Sequence, residues 1–178
     1  MVNFTSNTYQ MKREILSFSN KISKHLSKPD KKFSADMTYG MLAAGSCLLT
    51  DVVEQLHEDT KKVNSVERLT RHLNNGTSFT ALKSYLTAIR KWAPQEPVIH
   101  IDDSDVVKPD GYKFEALGLV RDGSKSTASK TVYEKGYHVT EACVLTKNNH
   151  PVSIFSKIHS SKEKNFTSNN DVTFSAME

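Results

Sequence analysis

A chain of 178 residues, 37% hydrophobic and 25% charged, is long enough for one ordinary domain or two small ones and has the composition of a water-facing globular protein. No apolar run approaches the length of a membrane span, and the opening segment MVNFTSNTYQMKREIL lacks the apolar centre of a secretory leader, so neither a membrane protein nor a secreted one is expected. The net charge of +4 is uneven: residues 1–97 carry 14 Lys/Arg against 9 Asp/Glu and residues 98–178 carry 10 against 11, which makes the first half the side a polyanion would meet.

The first half has helical periodicity throughout. In QMKREILSFSNKISKHL, Met11, Ile15, Phe18, Ile22 and Leu26 recur at helical spacing, with lysines on the other side. Pro29 can open a second helix that carries Phe33, Met37 and Met41 to the core. Gly45-Ser46 breaks the chain, and Ser46 can cap a third helix, 46–58, whose Leu49, Val52, Val53 and Leu56 face inward. After the polar turn TKKVN, Ser65 can cap a fourth, 65–75, with Val66, Leu69 and Leu73 on one stripe and Asn75-Gly76 as its stop. Ser78 caps FTALKSYLTAIRKWA, in which Phe79, Leu82, Leu86 and Ile89 form the expected core stripe, with Tyr85 and Trp92 packing beside it.

Pro94 and Pro97 bracket the expected boundary, which divides the chain into a helical domain, 1–96, and a second domain, 97–178. Beyond it the pattern is that of strands: VIHID, then KGYHVTEACVLT and PVSIFSKIH joined as a hairpin by KNNHP. RDGSKSTASK is expected to be a flexible loop and the Ser/Asn-rich tail another. His100 is expected to be a hydrogen-bonded core histidine, and Cys143 an inert strand residue. Cys47 and Cys143 are far apart, which suits a reducing cytoplasm and no disulfide framework. Three strands with no helix behind them leave a face and an edge uncovered, so the second half is expected to be the front of a longer fold.

IDDSD puts Asp102, Asp103 and Asp105 where the first strand leaves the core, with no basic residue until Lys108. Crowded carboxylates repel unless solvent, a positive partner or a cation offsets them. Solvent together with Lys108 and Lys113 is one solution. A divalent cation is the other, because Mg²⁺ keeps several waters and needs only one or two carboxylate anchors.

The order of the segments adds a family. An apolar strand ending in Asp-Ser, then KP, EALGLVRDGS, KGYHVTEACVLT and the hairpin NNHPVSIFSKIHS, resembles the DDE transposases of bacterial insertion sequences, over roughly residues 97–170. The resemblance implies an α+β chain in which an N-terminal all-α, DNA-binding domain precedes the first three strands of an incomplete RNase H-like α/β domain. It implies that Asp103, followed by Ser104, is the first of three metal-binding catalytic acids, with Mg²⁺ or Mn²⁺ as cofactor for phosphoryl transfer. Strand alternation places Asp103 on the side of Ile99 and Ile101, so a local bend is expected to expose it. The family's second Asp and its Glu have no counterpart here: Glu163, Asp171 and Glu178 lie in segments expected to be loop. A partial enzyme, inactive alone, is therefore expected, with the complete protein working as a homodimer on paired transposon ends.

Such an enzyme must also hold double-stranded DNA, and helices 46–58 and 65–75 have helix-turn-helix proportions. Arg68, Arg71 and His72 leave the apolar stripe of the second, with Asn75 at its end, and are candidates for phosphate or groove contacts. Lys61 and Lys62 at the turn, and Lys125 and Lys130 in the later loop, are candidates for backbone phosphate. A truncated transposase acting as a non-enzymatic DNA-binding repressor is the alternative function. An interaction protein that binds no nucleic acid is the third.

Overall fold

The computed structural model describes residues 4–76 and 78–177, and side chains from residue 9 onward. It is a mixed α+β structure that divides into two compact units, Met1–Lys91 and Trp92–Glu178. The division falls a few residues before the proline-marked boundary, because Trp92 already belongs with the sheet: its carbonyl accepts from the Lys147 N–H (3.2 Å).

The first unit is helical: α1 (Phe4–Ile22), α2 (Lys28–Ala44), α3 (Leu49–Leu56), α4 (Lys62–Asn75) and α5 (Phe79–Ile89), followed by a 3₁₀ turn. Ser27 caps α2. Its hydroxyl accepts from the Asp30 N–H and donates to the Asp30 carboxylate (2.6 Å), and Gly45 ends the helix in the left-handed conformation, φ 62°. The core is Val52, Val53 and Leu69, packed by Phe33, Met37, Met41, Leu49, Leu56 and Val66. No helix among the described residues is long and apolar enough to cross a membrane.

Several helical expectations need correction. The third helix begins at Leu49, and the Ser46 hydroxyl caps only the turn before it, accepting from the Leu48 N–H (3.1 Å). The fourth begins at Lys62, so Ser65 lies inside it, buried and bonded to Glu58 (2.6 Å) and Thr60 (3.0 Å). On α5 the buried side is offset: Phe79, Leu82 and Leu86 are exposed, while Ile89 is buried and Tyr85 meets Phe18 edge-on at 6.4 Å. Ala81, Tyr85, Ala88 and Ile89 form a second helical stripe, and this is the side that is partly or fully buried. Met11 and Leu73, expected inside, are exposed as well.

The second unit is a four-stranded antiparallel sheet: β1 (Ile99–Val107), β2 (Gly118–Arg121), β3 (Tyr133–Leu145) and β4 (Pro151–His159), with α6 (Asn169–Ser175) after it. Strand β3 is central, with β1 along one edge and β2 and β4 along the other. The expected hairpin is present across residues 146–150, closed by Thr146 N–H to the His150 carbonyl (2.9 Å).

Strand β2 was not expected: four residues between two loops carry too short an alternation to stand out. The tail expected as loop holds α6. Ser168 is its N-cap, accepting from the Asp171 N–H (3.1 Å), and hydrogen bonds from the Thr167 and Ser168 hydroxyls hold the Asp171 carboxyl below its usual range. The expected strand end at Asp102 is also wrong. β1 runs on to Val107 in unbroken register, so all three aspartates lie inside a strand. No bend at Asp103 is needed, since β1 is an edge strand and its residues 102–105 remain exposed; the one irregularity lies between β3 and β4 at Ala142/Cys143. His100, expected as a core histidine, is exposed.

Candidate functional site

Antiparallel register sets residues of the sheet in rows that share a face. One row is Asp103, Thr140 and Lys157; the next is Asp105, His138 and His159. Helix α6 brings Thr173 to the same face, so the carboxylate of Asp103 accepts from Thr140 Oγ1 on Oδ1 (2.5 Å) and, on Oδ2, shares the single proton of Thr173 Oγ1 (3.3 Å) with the Asn169 carbonyl (3.2 Å). Asp105 is held separately, by His138 Nδ1 on Oδ1 (2.6 Å) and by the Arg121 N–H on Oδ2 (3.2 Å), which ties β1 to β2. Asp102 pairs across to Glu141 on the opposite face and is exposed.

The hydroxyl of Thr140 has one proton, and an ionised Asp103 can only accept it. Thr140 Oγ1 must then accept from His159 Nε2, 3.0 Å away. That assignment leaves Nδ1 of the fully buried His159 as a lone pair with no hydrogen-bond partner among the described residues. Burial is the main cause that lowers the His159 pKa, followed by the charge of His138; Asp103 and Glu163 act in the opposite direction. The ring stacks against His138 (5.6 Å) and Phe166 (6.1 Å).

For a divalent ion this face of the sheet supplies two carboxylates, Asp103 and Asp105, and each oxygen of both already has a hydrogen-bond contact. Asp171 lies in a helix cap, and Glu178 lies outside the described residues. Among the described residues there is no group of three or more His, Cys, Asp or Glu suited to hold a metal. The residues present therefore do not by themselves fit a resident Mg²⁺ or Mn²⁺.

The helical candidates fall into two sets. Arg68 and His72 turn toward α2: the Arg68 guanidinium bonds Asp36 (2.8 Å) and Glu58 (3.0 Å), and His72 stacks on Phe33 (5.0 Å) within 3.4 Å of Asp30. Both candidates are thus engaged within the helical unit, by Asp30 and Asp36 of α2 and by Glu58 beyond the end of α3. Lys61, Arg71 and Asn75 are exposed, and Lys62 is exposed although paired with Glu54 (2.6 Å). Such an exposed pair adds little stability and leaves the ammonium open to exchange partners. In the later loop, Lys125 pairs with Glu134 (3.0 Å) and Asp122 (3.3 Å), in that order raising its pKa, and Lys130 is exposed. The loop is not a featureless linker: the Asp122 carboxylate accepts from the Ser124 hydroxyl (2.6 Å) and from the Ser124 and Lys125 N–H groups.

Glu58 is a residue that sequence reading missed, because none of its partners stands at helical spacing. The Lys32 ammonium first, then the Ser65 hydroxyl, and against the cost of burial the Arg68 guanidinium, hold its carboxyl at about 2. A folded-state value below the ordinary 4.5 means that the stabilisation is complete above pH 4.5 and is lost as pH falls toward 2. Its full linkage value is about 3 kcal/mol, reduced to about 1–2 kcal/mol by solvent screening of a network that is partly exposed. Glu58→Gln should therefore lower stability by that amount at neutral pH and flatten the pH dependence between 4.5 and 2, as measured by urea unfolding across that range. An unchanged acid limb would contradict the assignment.

No protein-family model matches the chain. No curated protein and no solved structure matches it either.

Proposed function

We propose that the chain is the front part of a DDE-type DNA transposase, a helical DNA-holding unit followed by the first strands of an RNase H-like core. The observation that carries the reading is the position of Asp103: exposed, central in the first strand of the antiparallel set β1, β3 and β4, and held by hydroxyls rather than by a cation. A carboxylate held this way keeps its orientation while remaining open to a further ligand. The outer edge of β1 has no partner strand among the described residues, and an edge of nine residues invites one. In the family that the sequence resembles, the second Asp lies on a later parallel strand, and the open edge of β1 would leave room for such a strand. Asp103 would then be one anchor for Mg²⁺ or Mn²⁺, completed by donors that the described residues do not supply, and the substrate would be double-stranded DNA at transposon ends, held by a homodimer.

The second reading, a non-enzymatic DNA-binding repressor, is favoured by one observation: both oxygens of Asp103 already carry hydrogen bonds. Mn²⁺ titration of the purified chain followed by electron paramagnetic resonance, together with retention of duplex DNA, separates the two. DNA retention with weak Mn²⁺ binding that disappears in Asp103→Ala supports the transposase fragment, which alone is not expected to cleave. DNA retention with no Mn²⁺ binding that depends on Asp103 supports the repressor, and absence of DNA retention removes both.

A further inference from the structure

Between the end of α1 and α5 runs a groove lined by Lys21 of α1, by Lys24 and His25 of the turn that follows it, and by Thr80, Lys83, Ser84 and Thr87 of α5. The α5 residues follow the i, i+3, i+4, i+7 spacing of a single helix face, and no acidic or large apolar side chain lines the groove. Among the described residues no carboxylate lies within ion-pair distance of Lys21, Lys24 or Lys83. The neighbouring α4 differs: its Arg68 and His72 are engaged by Asp36, Glu58 and Asp30, and its Lys62 by Glu54.

We propose that the α1/α5 groove, rather than α4 alone, is a docking surface for the phosphodiester backbone of duplex DNA. The proposal rests on the DNA-binding reading above and assigns it to residues outside the helix-turn-helix candidates. Charge complementarity selects the occupant. Three lysines, from α1, the turn after it and α5, line one channel, and the hydroxyls of Thr80 and Ser84 on its wall can donate to phosphate oxygens. A peptide partner would need apolar side chains to bury against, and the channel provides only lysine stems, methyls and Ala88.

Duplex affinity of the full chain, followed by fluorescence anisotropy on a labelled 20-base-pair DNA from 50 to 300 mM salt, tests this. Each phosphate neutralised adds about 0.9 to the log–log salt slope, so Lys21→Ala/Lys24→Ala/Lys83→Ala should lower the slope by about 2–3 and weaken binding about 100-fold at 100 mM. The matching triple arginine variant should retain both slope and affinity, which separates lost charge from lost fold. An unchanged slope in the alanine triple, with a reduced slope in Lys61→Ala/Lys62→Ala/Arg71→Ala, overturns the groove and leaves the DNA reading intact. Absence of any duplex binding by the unaltered chain overturns both. Displacement of DNA by polyglutamate at equal charge concentration, with the same dependence on the three lysines, shows an acidic-peptide site and also overturns the proposal.

Discussion

Leu69→Ala should lower the unfolding temperature of the helical unit by about 15 °C. Leu69 is fully buried, between Val52 and Val53 and against the ring and thioether side chains that α2 brings in. Truncation removes the transfer free energy of three carbons and leaves a cavity whose walls come from three helices, so collapse is incomplete and the cost is about 3 kcal/mol. In a unit of this size each kcal/mol moves the midpoint by about 4–8 °C. Phe79→Ala is the matched control. Phe79 is 77% exposed, and its loss should change stability by no more than about 0.5 kcal/mol. Circular dichroism at 222 nm during heating measures both. A shift below 3 °C for Leu69→Ala would mean that the α2/α3/α4 core is not packed as described.

Gly136→Ala should destabilise the sheet unit by about 2–3 kcal/mol. A Cβ at this position would lie 2.3 Å from the Val106 carbonyl oxygen and 2.5 Å from Val120 Cγ2, and the first of these is backbone of the neighbouring strand. Gly136 pairs with Val107 of β1 and with Gly118 of β2, so neither side can give way without loss of ladder hydrogen bonds. Gly123 provides the contrast: nothing lies within 4 Å of its Cβ position. Gly123→Ala should be neutral, or stabilising by about 0.5 kcal/mol through loss of unfolded-state freedom. Urea midpoints followed by tryptophan fluorescence separate the two variants, and equal midpoints would argue against the close approach of β1, β2 and β3.

What could be read from the residues, and what could not, follows from the range of the interactions involved. The stripes of α2 and α3, the β3–β4 hairpin and the change from helix to strand near the prolines are local patterns, and they are present where expected. The side of α5 that faces inward is not local: two apolar stripes compete, and contact with α1 selects the one with alanines. Strand β1 continues through three aspartates because pairing with β3 outweighs their poor strand propensity, a tertiary effect with no trace in composition. Helix α6 did have a signal, the Ser168/Asp171 cap, which the Ser/Asn-rich surroundings obscured. At the candidate site Asp103 was legible from its strand. The threonines that hold it were not, since Thr140 and Thr173 lie 37 and 70 residues away. Periodicity takes Arg68 and His72 off the apolar stripe, and their partners Asp36, Glu58 and Asp30 come from distant residues that no local pattern points to.

Both functional readings require that the chain grip duplex DNA through phosphate contacts. The most direct measurement is its affinity for a mixed-sequence duplex as a function of salt between 50 and 300 mM. Four to six phosphate contacts predict a log–log slope of about −4 to −5. An affinity that does not vary with salt, or no binding at 50 mM, would contradict the account.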